Sequence, residues 1–311
     1  IHLANRYILE NDPFTLIEAM VIAGYSVGAN RGYIYLRDEY HYLLDLLRGA
    51  IDQVRAGGFF NQFDIEIYEG AGAYVCGEES ALMESIEGRR GEVRYRPPFP
   101  PSCGLWGKPT VINNVETLMN IPRIVSGGAL WFNQLGTERS KGTKVFSVSG
   151  DVKESGVYEM VLGSKLRELV EDLALGERVK LVQVGGATGK IIPYEMMDSP
   201  LAFEGVLGAG AITVFDDSRD VIEVIYKTLK FLAEESCGKC APCRQGTEAM
   251  VEILARFNQG KGINEDFKVL EDLANTMMLS SLCGLGQAAP IPVIDSLKYF
   301  MLAYENHLRR S

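Results

Sequence analysis

Apolar residues recur at helical spacing from Phe14 to Val27, and Asn11-Asp12-Pro13 ahead of them supplies a cap and a first-turn proline, so a helix is predicted there. Gly32-Tyr33-Ile34-Tyr35-Leu36 then reads as a strand. The helical pattern returns from Tyr40 to Val54 and ends at the pair Gly57-Gly58, after which Phe63-Asp64-Ile65-Glu66-Ile67-Tyr68 alternates as a strand does. This rhythm predicts an α/β layer. Between Gly88 and Thr110 the chain is rich in proline, glycine and arginine and predicts an irregular, functional loop, with a helix resuming from Asn113 to Val125. From about Lys144 to Phe215, β-rich pieces at Val145 to Val148, Val179 to Val184 and Ala211 to Phe215 surround one short helix near Leu166 to Leu173, a pattern that predicts a small α+β domain. Beyond Ser218, helical stretches near 218–235, 242–258, 265–280 and 291–308 predict a bundle.

Composition narrows the class. With 311 residues, 47% of them hydrophobic and 23% charged, the chain should be globular and bury one large core or a few modest ones. Its net charge of −10 is spread without a basic run, which argues against a nucleic-acid footprint and predicts repulsion from anionic membranes. No stretch approaches the ~20 apolar residues that span a bilayer, and no basic-then-apolar leader opens the chain, so direct membrane insertion is not expected and a cytoplasmic or matrix setting is. The chain opens on Ile1 rather than methionine and enters a capped helix almost at once, so further residues upstream are expected.

The six cysteines are too few and too unevenly placed for a secreted disulfide scaffold and read as redox chemistry in a reducing compartment. Cys237-Gly-Lys-Cys240-Ala-Pro-Cys243 places three thiols at three-residue steps, and Cys283 follows in Leu-Cys-Gly-Leu-Gly. A cubane needs four thiolates on its corners, which a C-x2-C-x2-C loop and one remote cysteine can supply. Gly238, Ala241 and Gly284 leave room for it, and their N–H groups can donate to its sulfurs. Structural zinc is the bland alternative, but zinc sites come as two separated pairs of ligands. A disulfide is the other alternative. Cys76 and Cys103 stand apart and read as small buried hydrophobes.

A second candidate site is the glycine-rich segment Gly70-Ala-Gly72-Ala-Tyr74-Val-Cys-Gly77-Glu78-Glu79-Ser80, which follows a predicted strand and precedes a predicted helix. It is not the dinucleotide fingerprint, because the third glycine would fall on Val75. A plain structural turn, helix-capping carboxylates at Glu78 and Glu79 and a core role for Tyr74 are the alternatives. Asn113, Asn114 and Thr117 open the next helix with groups suited to a phosphate or a flavin edge, or simply to capping. In Arg94-Tyr-Arg-Pro-Pro-Phe99-Pro-Pro, prolines stiffen a loop on which Phe99 can stack a base; a plain connector is the other reading.

Gly-Ala-Gly-Ala-Tyr-Val-Cys-Gly-Glu-Glu, Leu-Trp-Gly-Lys-Pro-Thr, Asn-Asn-Val-Glu-Thr-Leu and Glu-Ser-Cys-Gly-Lys-Cys-Ala-Pro-Cys-Arg-Gln-Gly, taken together and in this order, resemble the family of NADH-binding flavoprotein subunits of respiratory complex I. That family includes subunits of NAD(P)-linked and electron-bifurcating hydrogenases and of NAD-dependent formate dehydrogenases. The resemblance implies an atypical Rossmann-like α/β domain for FMN and NAD(P)H over residues 1–140, a ubiquitin-like β-grasp domain over 141–217 and a helical bundle carrying [4Fe-4S] over 218–311. It also implies that Gly72, Tyr74, Gly77, Glu78 and Glu79 line the FMN and nicotinamide site, that Asn113, Asn114 and Thr117 help hold FMN, and that Phe99 stacks on adenine. By the same resemblance, Cys237, Cys240, Cys243 and Cys283 ligate the cluster. The family's Gly-Arg-Gly-Gly-Ala-Gly-Phe-Pro loop would lie upstream of Ile1.

The expected activity is hydride transfer between NAD(H) or NADP(H) and FMN, followed by single-electron steps to the cluster and to partners, a thioredoxin-like [2Fe-2S] subunit and a larger iron-sulfur subunit. Glu79 is then a positioning and electrostatic residue, since no proton-transfer pair is needed. The competing expectation is a non-catalytic iron-sulfur scaffold that keeps the cluster as a docking module.

Overall fold

The computed structural model describes residues 3–60 and 62–308, a mixed α/β chain in two compact units, one over Leu3–Gly136 and one from Thr137 onward. In the first, α1 (Leu3–Asn11) and α2 (Pro13–Val27) lead to β1 (Arg31–Leu36), then α3 (Leu44–Ala56), β2 (Asp64–Glu69), α4 (Glu79–Ile86), α5 (Val115–Gly127) and α6 (Ala129–Asn133). Asp12 caps α2 by accepting from Thr15 N, with Pro13 in the first turn, as the sequence leads one to expect. The helix expected from Tyr40 starts at Leu44 instead. Residues Asp38–Leu43 wind as a 3-10 stretch, because Tyr40 leaves helical geometry at φ −112°, ψ 19°.

β1 and β2 pair in parallel, Arg31 with Asp64 through Leu36 with Glu69. The pleat sends Ile34, Leu36, Ile65 and Ile67 into a core with α2 and α3, which Val115, Leu118 and Met119 of α5 also join. Tyr33, Tyr35 and Tyr68 face the other way, against Met83 and Ile86 of α4 and against Leu105. The stretch from Gly88 to Thr110 is irregular apart from a short turn at Leu105–Gly107, and α4 holds it by charge. Arg94 sends its Nε to Glu84 and its Nη1 to the Gly104 carbonyl at 3.1 Å, while Arg89 pairs with Glu84 and Glu87. Glu87 also accepts the Trp106 N–H at 2.7 Å. Trp106 sits at φ +48°, a strained position for a side chain this large, with its ring edge-on to Tyr33.

The second unit carries β3 (Thr143–Gly150), β4 (Gly156–Val161), β5 (Val179–Val184), β6 (Lys190–Pro193) and β7 (Ala211–Asp216) in one sheet of order β4-β3-β7-β5-β6. β3 and β7 run parallel and the other pairs antiparallel. The sequence pattern does not show β4 or β6. β4 carries no fully buried residue, and β6 is four residues ending on proline, so neither presents a full alternation. The expected short helix is a single π-helical turn, Glu168–Leu173, whose Leu169 and Val170 enter the core with Phe146, Val148, Val182 and Val214.

α7 (Val221–Glu234), α8 (Ala241–Asn258), α9 (Asn264–Ser280), α10 (Gly284–Ala288), α11 (Ile291–Tyr299) and α12 (Met301–Asn306) follow. The long helix expected over 291–308 breaks at Phe300, φ −131°, ψ 33°, and Tyr304 beyond the break is fully buried against Phe257, its hydroxyl 2.7 Å from Ser296 Oγ. α11 lies along β6, where Asp295 accepts the Ile191 N–H at 3.0 Å. No helix among the described residues is long and apolar enough to cross a membrane.

Two expected outcomes test this packing. Gly150 ends β3 at φ +96°, where a Cβ would collide with the Val214 carbonyl, so Gly150→Ala should lower the unfolding free energy by roughly 2–4 kcal/mol. An unchanged thermal melt would show that β7 can give way. Hydrogen bonds from Arg89, and then from Arg94, overcome desolvation and hold the Glu84 carboxyl at about 2, below its ordinary 4.5. A depressed acid contributes stability that is complete above its unfolded value and is lost as pH falls through its folded value. The Leu3–Gly136 unit should therefore weaken between about pH 4.5 and 2, and Glu84→Gln should flatten that part of a denaturation profile taken against pH.

Candidate functional site

The first candidate site grows from the end of β2. Gly70 N donates to the Leu36 carbonyl at 2.8 Å, and a Cβ at Gly70 would lie 2.6 Å from a Tyr35 ring carbon, so a side chain there would displace the Tyr35 ring. Gly72 takes φ +82°, Tyr74–Gly77 form a 3-10 turn, and Glu78 caps α4. One carboxylate oxygen of Glu78 accepts from Ser80 N and Ala81 N, both at 2.9 Å, and the other pairs with Arg96. The first N–H groups of α4 are thus already engaged by a built-in anion, so this helix start is not a phosphate cradle.

Glu79, less covered than Glu78, shares Arg96 at 2.8 Å. Arg96 ties the Tyr74–Glu79 turn to the loop that carries Phe99, a residue 54% exposed. Asn114 caps α5, accepting from Glu116 N at 2.9 Å, and Asn113 and Thr117 are exposed beside it. Ile112 packs with the α4 cluster while Val115 and Leu118 pack in the opposite core, so Asn113 and Asn114 stand where the chain crosses from one face of the sheet to the other.

The fold therefore joins Glu78 and Glu79, at the end of the turn that holds Tyr74 and Gly77, to the Phe99 loop through Arg96. Nothing lies within 4 Å of where a Cβ on exposed Gly77 would stand. Arg96 shows in the sequence only as loop charge; its position eighteen residues after an acidic pair carries no local signal.

The second candidate site belongs to the other unit. Cys240 is the residue before α8, Cys243 lies buried in its first turn, and Cys283 is the residue before α10, so two helix starts meet at the thiols. Burial pushes the Cys243 thiol up to about 11; the Ser236 hydroxyl opposes this, and the neighbouring Cys240, Cys283 and Cys237 add to it. Gly286, three residues after Cys283, lies against Cys243, which brings the remote cysteine to the C-x2-C-x2-C loop. The approach of α10 to α8 depends on Gly286, where a Cβ would lie 2.8 Å from Cys243 Cβ and 2.7 Å from Ser281 Oγ.

Among the described residues, no three His, Cys, Asp or Glu side chains converge as ligands of one metal ion. A cubane asks for a wider arrangement, one thiolate to each of its irons. The fit is supported by Ser281, 5% exposed, whose Oγ has no partner among the described residues and which stands two positions from Cys283. Sulfide of a cluster would offer that hydroxyl an acceptor. Cys76 is buried as expected, but Cys103 is exposed, a correction to its reading as a small core residue. Cys103 lies on the irregular segment, where Ser102 N and Cys103 N both turn back to the Phe99 carbonyl and leave the side chain outside.

Known proteins match both regions. Residues 1–123 match the family described as the Nuo51 FMN-binding domain, and residues 223–307 match the NADH-ubiquinone oxidoreductase-F iron-sulfur binding region. The NADP-reducing hydrogenase subunit HndC of Solidesulfovibrio fructosivorans is 41% identical over 98% of this chain and 66% of its own length. The NADH-quinone oxidoreductase F subunit of Mycobacterium tuberculosis is 41% identical over 95% of this chain and 70% of its own. A chain of NAD+-reducing [NiFe]-hydrogenase, solved in the H2-reduced state, superposes with a TM-score of 0.94 at 40% identity, covering 99% of this chain and 54% of that one. The chain thus spans about half to seven tenths of the length of these relatives. It belongs to the family of the NADH-quinone oxidoreductase F subunits and the NAD(P)-reducing hydrogenase subunits, and carries that family's FMN-binding domain and iron-sulfur region.

Proposed function

We propose that this chain is part of an oxidoreductase subunit that oxidises NADH or NADPH, or runs the reverse reaction, and exchanges single electrons with partner subunits through a [4Fe-4S] cluster. The observation that carries this reading is the approach of α10, which Cys283 precedes, to Cys243 at the start of α8 and the loop of Cys237 and Cys240, in the same chain as an acidic turn clamped by Arg96. When bound, FMN supplies hydride exchange with the nicotinamide and the cluster supplies one-electron steps.

The chain's own residues bind and orient. Glu79 presents a partly exposed carboxylate that accepts hydrogen bonds from the nucleotide, and Arg96 sets its direction and offsets its charge. Glu78 acts one step back, holding the start of α4 in place. Gly72, Tyr74 and Gly77 shape the turn, Asn113, Asn114 and Thr117 offer amide and hydroxyl groups to FMN, and Phe99 offers a face to adenine. The strand order β4-β3-β7-β5-β6 with a parallel central pair supports a ubiquitin-like β-grasp layer over 141–217, between an FMN and nucleotide domain over 1–140 and a cluster-bearing bundle over 218–311.

The relatives are named as subunits, which supports a multisubunit setting with a thioredoxin-like [2Fe-2S] subunit and a larger iron-sulfur subunit, in the cytoplasm or on the cytoplasmic or matrix face of a membrane complex. A non-catalytic iron-sulfur scaffold is the competing reading. It leaves the Glu79–Arg96 pair and the exposed Phe99 on the same loop without a use.

The test is anaerobic. The full-length protein should show a flavin absorbance that bleaches on adding NADH or NADPH, and the nucleotide that bleaches it is the donor; a cluster that dithionite reduces while neither nucleotide has any effect would establish the scaffold. Glu79→Gln should raise KM for the nucleotide roughly tenfold with iron content unchanged, the pattern of a lost binding contact. Cys283→Ala should lose the cluster's EPR signal and most of its iron while flavin absorbance stays.

A further inference from the structure

The loop that carries Cys237 and Cys240 contains a hydroxyl placed against a third cysteine. Ser236 follows the end of α7, its N–H turned back to the Ala233 carbonyl at 3.3 Å, and its Oγ lies 3.3 Å from Cys243 Sγ. The same Oγ accepts the Gly238 N–H at 3.2 Å. Gly238 stands at φ +74°, a geometry that favours glycine, and its carbonyl in turn accepts from the Arg244 guanidinium on the first turns of α8.

A serine hydroxyl has one proton and two lone pairs. With a lone pair given to Gly238, the proton is left for Cys243. A cysteine that ligates iron is a thiolate and has no proton of its own, so between these two atoms only the serine can donate. The backbone thus holds the hydroxyl in a donating orientation, in a chain from Gly238 N–H to Ser236 O–H to the Cys243 sulfur.

We infer that Ser236 tunes the reduction potential of the cluster by donating a hydrogen bond to the Cys243 thiolate. Adding an electron to a cluster increases the negative charge on its sulfurs, and a donor aimed at one of them favours the reduced form and raises the potential. Ser236 is a positioning and tuning residue, not a ligand. The inference rests on the cluster assignment under Proposed function.

Threonine and valine at position 236 have nearly the same shape and differ in the hydroxyl, so Ser236→Thr and Ser236→Val isolate it. In an EPR-monitored redox titration of the cluster-loaded protein, Ser236→Thr should titrate as the wild type. Ser236→Val should shift downward by about 59 mV, a tenfold change for a one-electron couple. Equal potentials in the two variants overturn the inference. Deuterium ENDOR of the reduced protein in D2O, compared among the wild type, Ser236→Thr and Ser236→Ala, separates the hydroxyl from exchangeable backbone N–H donors, even where Ser236→Val takes up no iron. A strongly coupled exchangeable deuteron present in the wild type and Ser236→Thr and missing from Ser236→Ala is expected, and its persistence in Ser236→Ala overturns the inference. Failure of the wild type itself to show a four-iron signal after anaerobic reconstitution would instead sink the cluster assignment, which keeps the two outcomes apart.

Discussion

Backbone N–H and C=O groups that leave water must find partners, and outside helices and sheets those partners have to be supplied one at a time. Both candidate sites consist largely of such irregular backbone. From Gly88 to Thr110 the partners are side chains as often as peptides: Ser80 Oγ accepts from Arg94 N, Arg94 donates to the Gly104 carbonyl, Glu87 accepts from Trp106 N and Thr110 Oγ1 from Leu105 N. Around the cysteines the same work falls to Ser236 on Gly238 N, Arg244 on the Gly238 carbonyl and Gln287 on the Ser281 carbonyl. Remove that polar framework and neither site keeps a defined shape.

The framework also explains why the sites are charged where they are. α4 is an eight-residue helix whose carboxylates, from the capping Glu78 through Glu79 and Glu84 to Glu87 at its end, face arginines of the following loop. Glu78 satisfies the start of the helix and Glu84 and Glu87 hold the loop, which leaves Glu79 as the acidic group with most room to meet a ligand. A helix start that binds its own anion does not compete for phosphate.

At the cysteines, geometry rests on close backbone approach. Gly286 lets α10 come against Cys243, and Gly246 lets α9 come against α8, where a Cβ would stand 2.5 Å from Met277 Sδ. Small residues at helix contacts bring the starts of two helices to one place.

Periodicity and spacing along the chain determined a good deal. The parallel strand pair, the capped helices, the helical run after Ser218 and the C-x2-C-x2-C loop with its remote fourth cysteine are all legible, because each is written in residues a few positions apart. What depends on distant partners is not. β4 and β6 are edge strands whose pairing, not their own pattern, makes them strands, and the break at Phe300 follows from burying Tyr304 on Phe257. Cys76 and Cys103 look alike in sequence, and only packing makes one buried and the other exposed. Arg96 meets Glu78 and Glu79, and Ser236 meets Cys243, because tertiary contacts close the distance; hydrogen bonds act over about 3 Å in space, and separation along the chain does not encode that distance.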